Sequence, residues 1–99
     1  MSNVVEFASF NLKKGASVSD FLLVSDKFNS DFLSKQKGYI SRKLLLGGEM
    51  WADSVLWETM EDALKAFETA EENTKACEYV SFMDQESIKV LHLTVERNY

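Results

Sequence analysis

Trp51-Ala52-Asp53-Ser54-Val55-Leu56-Trp57-Glu58-Thr59-Met60-Glu61-Asp62-Ala63-Leu64-Lys65-Ala66-Phe67 reads as a strand that runs into a helix with almost no connection. Val55, Leu56 and Trp57 are β-branched, apolar or aromatic, which suits a half-buried or buried strand. Thr59 stands where a helix N-cap belongs, and Asp62 follows three residues later, as in a capping box. Ala63, Leu64 and Phe67 then recur at the helical period, so the helix has one apolar stripe.

Working outward, the same device recurs at Ser17 and Asp20. Before it, Val4 to Leu12 reads as a strand with large apolar groups on both faces: Val4, Ala8, Phe10 and Leu12 on one, Val5 and Phe7 on the other. Lys13-Lys14-Gly15 breaks that strand. A helix then runs to about Lys35, with Val18, Phe21, Leu22, Val24, Phe28, Phe32 and Leu33 on one side and Leu23 off it. Gly38 suits a helix C-terminus or turn. Tyr39 to Leu46 is a second strand, and Gly47-Gly48-Glu49 turns it into the third near Met50 or Trp51. Glu71-Glu72-Asn73 is a poor helix end, because acidic groups there oppose the macrodipole. Thr74 is the expected cap of a shorter helix carrying Ala76, Cys77 and Val80. After a turn at Asp84-Gln85-Glu86-Ser87, Ile88 to Arg97 is the last strand.

The order β-α-β-β-α-β is the α+β, ferredoxin-like pattern. Right-handed crossovers give an antiparallel sheet of order 4-1-3-2 with the helices on one face. Nothing in the chain is left to cover Val5 and Phe7 on the other face. A homodimer, sheet against sheet, is the expected solution.

A chain of 99 residues is expected to form one domain over residues 1–99. Its 45% hydrophobic share, with seven Phe, two Trp and three Tyr, argues against disorder. A net charge of −5 argues against nucleic acid as a partner. The Met1-Ser2-Asn3-Val4-Val5-Glu6 start lacks a signal peptide's basic and apolar regions, and no window suits a membrane span. With a single cysteine, Cys77, the expectation is a soluble, cytoplasmic protein that is not a membrane partner.

His92 is the one histidine, placed in an alternating strand between Val90 and Thr94. It could accept a proton or orient a ligand; alternatively it is half-buried and hydrogen-bonded for structural reasons. In a 4-1-3-2 sheet strand four lies beside strand one, so Glu6 could meet His92 if the register allows, fixing its tautomer and raising its basicity. The alternative is a solvated Glu6. Arg42 could hold an enolate, phenolate or carboxylate through its fork of donors, or simply belong, with Lys43, to a charged edge strand. Trp57, Tyr39 and Tyr79 are the candidate ligand-contacting residues, and Trp51 shares their chemistry. Core or dimer interface is the competing role, above all for Trp57. Cys77 reads as an inert small hydrophobe. One His and one Cys do not make a typical single-chain transition-metal site, so no metal is expected.

Four short motifs resemble the antibiotic-biosynthesis-monooxygenase-like family of dimeric α/β-barrel proteins. They are Phe10-x-Leu-Lys-Lys-Gly15, Gly38-Tyr-Ile-Ser-Arg42, Trp57-Glu-Thr-Met-Glu-Asp-Ala63 and Phe82-Met-x-x-x-Ser-Ile-x-x-x-His92. The resemblance implies a barrel made by two protomers, with small-molecule pockets between each sheet and its own helices. It also implies cofactor-free oxygenation of an aromatic or enolisable substrate. Under that scheme His92 or Glu6 is the base, Arg42 accompanies the anion and Trp57 is a wall. The alternative is a non-catalytic dimeric module for a metabolite or another protein. A haem-degrading relative would need an Asn, a Trp and a His where this chain has Ala8, Lys65 and Lys75, which disfavours that branch.

Overall fold

A computed structural model describes residues 2–99. The chain runs β1 (Val4–Phe10), α1 (Val18–Asp31), β2 (Tyr39–Gly47), β3 (Met50–Trp57), α2 (Met60–Ala70), α3 (Thr74–Ser81) and β4 (Lys89–Thr94). The four strands form one antiparallel sheet of order β2-β3-β1-β4, the expected 4-1-3-2 order viewed from its other edge. Among the described residues no helix is long and apolar enough to cross a membrane.

Register decides which side chains meet. Glu6 lies opposite Val55 on one side and His92 on the other, and Ala8 opposite Asp53 and Val90. Because side chains alternate along a strand, these residues share the face beneath the helices. There Phe10, Val55 and Trp57 pack with Phe21, Phe28, Ala63, Ala66, Ala76 and Tyr79. The opposite face carries Val5 against Leu56 and Leu93, Phe7 against Leu91, and Leu45 against Ala52. Leu45, Leu91 and Leu93 are 43%, 54% and 48% exposed, so the protomer leaves this apolar surface open.

Both capping boxes form on their hydroxyl side. Ser17 Oγ accepts from the Asp20 amide at 3.2 Å, and Thr59 Oγ1 from the Asp62 amide at 3.0 Å. The Asp62 carboxylate also packs on Gly38, whose φ of +84° and missing Cβ make room for it. Thr59→Ala should cost about 1 kcal/mol, the usual effect of losing an N-cap. A lower denaturation midpoint at unchanged slope is the expected readout; an unchanged midpoint would remove Thr59 from the helix start.

β2 runs one residue further than expected, to Gly47, which leaves Gly48 and Glu49 as the turn, and four larger boundary differences each have a local reason. β1 stops at Phe10, and Leu12 instead bridges Met83 while the Lys13 amide donates to Phe82 O at 2.9 Å. The chain thus leaves the sheet to latch the end of α3. α1 ends at Asp31, and one tight turn over Leu33–Lys35 keeps Phe32 and Leu33 buried. Asn73 rather than Thr74 caps α3: its Oδ1 accepts from the amides of Lys75 and Ala76 at 2.9 and 3.0 Å. β4 covers only Lys89–Thr94, shorter than Ile88 to Arg97, and beyond it the Val95 amide donates to Asn3 O at 2.8 Å. Along α1, Val18 and Leu22 are exposed while Ser25 is buried.

Candidate functional site

A cavity of about 460 Å³ lies between the sheet and the helices α2 and α3. That size falls within the usual range of small-molecule sites, roughly 300–1,000 Å³. Its walls are mostly apolar, with Phe10, Phe28, Val55, Met83 and Val90 inside and the partly exposed Phe67 and Val80 among the lining residues. Two polar systems reach it from the sheet.

The first is Glu6 with His92. Glu6 lines the cavity, and its Oε1 is 3.1 Å from His92 Nε2. With its proton on Nε2 the imidazole donates to the carboxylate. Both side chains are largely shielded, 15% and 16% exposed, and the rings of His92 and Phe67 meet edge to face at 5.5 Å between centroids. Among the described residues Glu6 Oε2 has no hydrogen-bond partner. Burial raises the Glu6 carboxyl above its ordinary value and nearby Asp53 adds to the effect, while the hydrogen bond and charge of His92 pull it back. His92 itself does not line the cavity; it stands behind Glu6, one rung across the β1–β4 pair.

The second is a closed network around Arg42. Its Nε donates to Asp53 Oδ1 at 2.8 Å, Nη1 to Ser25 O at 3.3 Å, and Nη2 to Ser25 Oγ at 2.8 Å and the Tyr79 hydroxyl at 3.0 Å. Tyr79 in turn donates to Asp53 Oδ2 at 2.7 Å. The guanidinium lies over the rings of Phe28 and Tyr79, at 5.3 and 5.2 Å. Burial works against the charge of Arg42, but Asp53 and Tyr79 outweigh it and raise its pKa. Burial, then the charge of Asp53, pushes the Tyr79 phenol far above its ordinary value, so it stays a protonated donor. Burial likewise raises Asp53 against the pull of Arg42 and Tyr79.

The six residues singled out from the sequence thus fall in different places. Glu6 and Tyr79 line the cavity, and His92 touches Glu6. Arg42 does not line it; it faces a shallow groove with Leu22, Asn29 and Trp51 on the far side of the Asp53–Tyr79 pair. Trp57 is fully buried outside the cavity, its ring perpendicular to that of Tyr39 at 6.1 Å between centroids. Tyr39 donates to Asn29 Oδ1 at 3.5 Å and also stands clear of the cavity. Sequence reasoning missed Asp53 and Ser25. The signal for Asp53 was available: a carboxylate amid apolar residues of a central strand needs a buried cation. Ser25 carried no comparable signal.

No family model and no curated protein matches the sequence. Solved structures do match the fold over nearly the whole chain. A variant of SnoaB, a cofactor-independent oxygenase from Streptomyces nogalater, is 13% identical with a TM-score of 0.77, covering 99% of this chain and 97% of that one. A candidate antibiotic biosynthesis monooxygenase from Nitrosomonas europaea is 12% identical with a TM-score of 0.73, covering 96% and 91%. A dimeric ferredoxin-like protein from an uncultured marine organism is 12% identical with a TM-score of 0.69, covering 100% and 92%. At these identities the likeness establishes the fold: the chain has the ferredoxin-like βαββαβ architecture shared by structures named for antibiotic-biosynthesis monooxygenases.

Proposed function

We propose that the cavity binds a small apolar molecule and carries out cofactor-free oxygenation of a phenol or enol, with Glu6 as the base. The observation that carries this reading is the Glu6–His92 pair: a shielded carboxylate in a cavity wall, held by one oxygen at 3.1 Å and free at the other. A phenol O–H meeting Oε2 gives its proton to Glu6, while His92, donating its Nε2–H to Oε1, holds the carboxylate in place. The phenolate then gives an electron to molecular oxygen, and recombination forms a C–O bond at a ring carbon. Loss of water from the resulting hydroperoxide leaves a quinone. One oxygen atom enters the product, and the other departs in water with the former O–H and C–H hydrogens. Tyr79 is a wall of the site, with Arg42, Trp57 and Tyr39 supporting it from outside the cavity. The cofactor-independent oxygenase with the same fold supports the reaction class.

One observation favours a non-catalytic metabolite-binding or interaction module. Arg42, the cation suited to a substrate anion, is saturated by Asp53, Ser25 and Tyr79. His92→Gln separates the two readings, because it keeps much of the size and some hydrogen bonding while removing the basicity. An enzyme should lose its quinol- or polyphenol-dependent oxygen uptake with fold and assembly intact. A binding module should lose about 1–3 kcal/mol of stability, with no oxygen uptake to lose in either form.

We assign the open face with Val5, Phe7, Leu91 and Leu93 to a second copy of the chain, a reading supported by a structure of the same fold that is described as dimeric. Such an obligate interface should bury more than about 2,000 Å² in total. Sedimentation at micromolar concentration should give a dimer, and monomer alone would end this assignment. The cytoplasm, where thiols stay reduced, suits the free Cys77 among the cavity-lining residues.

A further inference from the structure

The side chains lining the cavity divide sharply by charge and by hydrogen-bonding sense. Every charged side chain among them is acidic: Glu6, Asp53 and Glu71. Arg42 is spent on Asp53 and stands outside, and His92 stands behind Glu6 rather than in the lining. The lining donors are spent as well. Tyr79 OH donates to Asp53, Ser81 Oγ to Glu78 O at 2.6 Å, and Gln85 Nε2 to Val80 O and Met83 O at 3.0 and 3.2 Å. The Cys77 thiol points at Glu71 O at 3.4 Å, and the Ala76 amide is held by Asn73. What remains open toward a ligand is acceptors, among them Glu6 Oε2, which has no partner among the described residues.

We propose that this cavity selects an uncharged ligand that donates a hydrogen bond, a phenol or enol with no acidic substituent, and rejects carboxylates and phosphates. The proposal rests on the reading of the cavity as a small-molecule site and adds its substrate class. A buried anion here would meet the Glu6 carboxylate, with exposed Glu71 at the rim and Asp53 already paired to Arg42, and would find no free side-chain donor to replace its lost water, which is a severe penalty. A hydroxyl gives Glu6 the partner it lacks. The same logic covers proton transfer: once Glu6 is protonated it becomes the donor that the new phenolate needs. A quinone product has acceptors only and no partner in the cavity, so its departure is favoured.

The test is anaerobic calorimetric titration of the full chain at neutral pH with four matched probes: naphthol, methoxynaphthalene, hydroxynaphthoate and its methyl ester. Naphthol should bind at least about tenfold more tightly than methoxynaphthalene, and the ester at least about tenfold more tightly than the anionic acid. The ester controls for size, so that gap reads charge. In the double variant Glu6→Gln, Glu71→Gln the acid–ester gap should close to within about threefold. Glu71→Gln alone, at a helix end remote from the sheet, should narrow it in part. Equal binding of acid and ester, or of naphthol and methoxynaphthalene, overturns the proposal. Failure of every probe to bind overturns it together with the small-molecule reading. Naphthol binding with the predicted selectivity but no oxygen uptake in air would end the oxygenase reading alone and leave the selectivity standing.

Discussion

Asp53→Ala should destabilise the protein by about 3–5 kcal/mol, the range for removing one partner of a buried ion pair. Arg42 and Asp53 have side chains only 6% and 9% exposed, so the guanidinium left behind has little water to recover. The loss spreads beyond one contact, because Tyr79 would lose its acceptor and Arg42 the partner of its Nε. Those residues tie α1, through Ser25, to β2, β3 and α3. Urea unfolding at fixed protein concentration, followed by the emission of buried Trp51 and Trp57, is the measurement. A cost below about 1 kcal/mol would show that the pair is held by the fold rather than holding it. Replacing both charges, Arg42→Met with Asp53→Leu, should recover most of the loss, since well-packed apolar groups often match a buried ion pair. Tyr79 would then lose both of its partners, which limits the recovery.

The second large effect is on activity. Glu6→Gln should reduce substrate-dependent oxygen uptake by about 10²–10⁴-fold, the usual weight of a positioned general base. The same change should raise stability at neutral pH. Burial raises the pKa of folded Glu6 above its ordinary value, so the folded state favours the protonated form. Its contribution to stability is therefore complete below the unfolded carboxyl's pKa and is lost as pH rises through the raised folded value. A neutral glutamine avoids that loss, and the gain over the native protein should vanish as the solution is acidified. Catalysis needs the opposite form, so the native rate should climb with pH across the raised Glu6 titration. That limb should be absent from any residual activity of the glutamine variant. A glutamine variant that keeps full activity would show that Glu6 is not the base.

The fold was legible because independent local signals agreed. Two hydroxyl caps, the Gly47-Gly48-Glu49 turn signal and the alternation around Val4–Phe10 all point to one topology, and topology alone brings β4 beside β1. Adjacency made Glu6 and His92 plausible neighbours; only the register makes them opposite each other. The rest of the site depends on what covers the sheet, which strand periodicity does not encode. Arg42 shares a strand with Lys43 and so resembled a solvated edge, yet α1 brings Ser25 over it and closes it in. Trp57 was aromatic and on the helix-facing side, but it lies at the strand's end, opposite Tyr39 and Val4 and past the cavity. Asn73 outcompeted Thr74 as a cap because its carbonyl oxygen reaches two amides at once.

The alternation along β1 has a consequence for how such a protein can change over time. Glu6, Ala8 and Phe10 look toward the cavity, whereas Val5, Phe7 and Ser9 look toward the open side. Point substitutions at alternate positions can therefore redraw the cavity wall without altering the open sheet face, and the reverse. Insertion or deletion of one residue in the strand has no such freedom, because it would exchange the two sets of side chains together. A lineage built on this strand should diversify by replacement while its length stays fixed, and a mutational library on alternate codons of β1 would reproduce that separation in the laboratory.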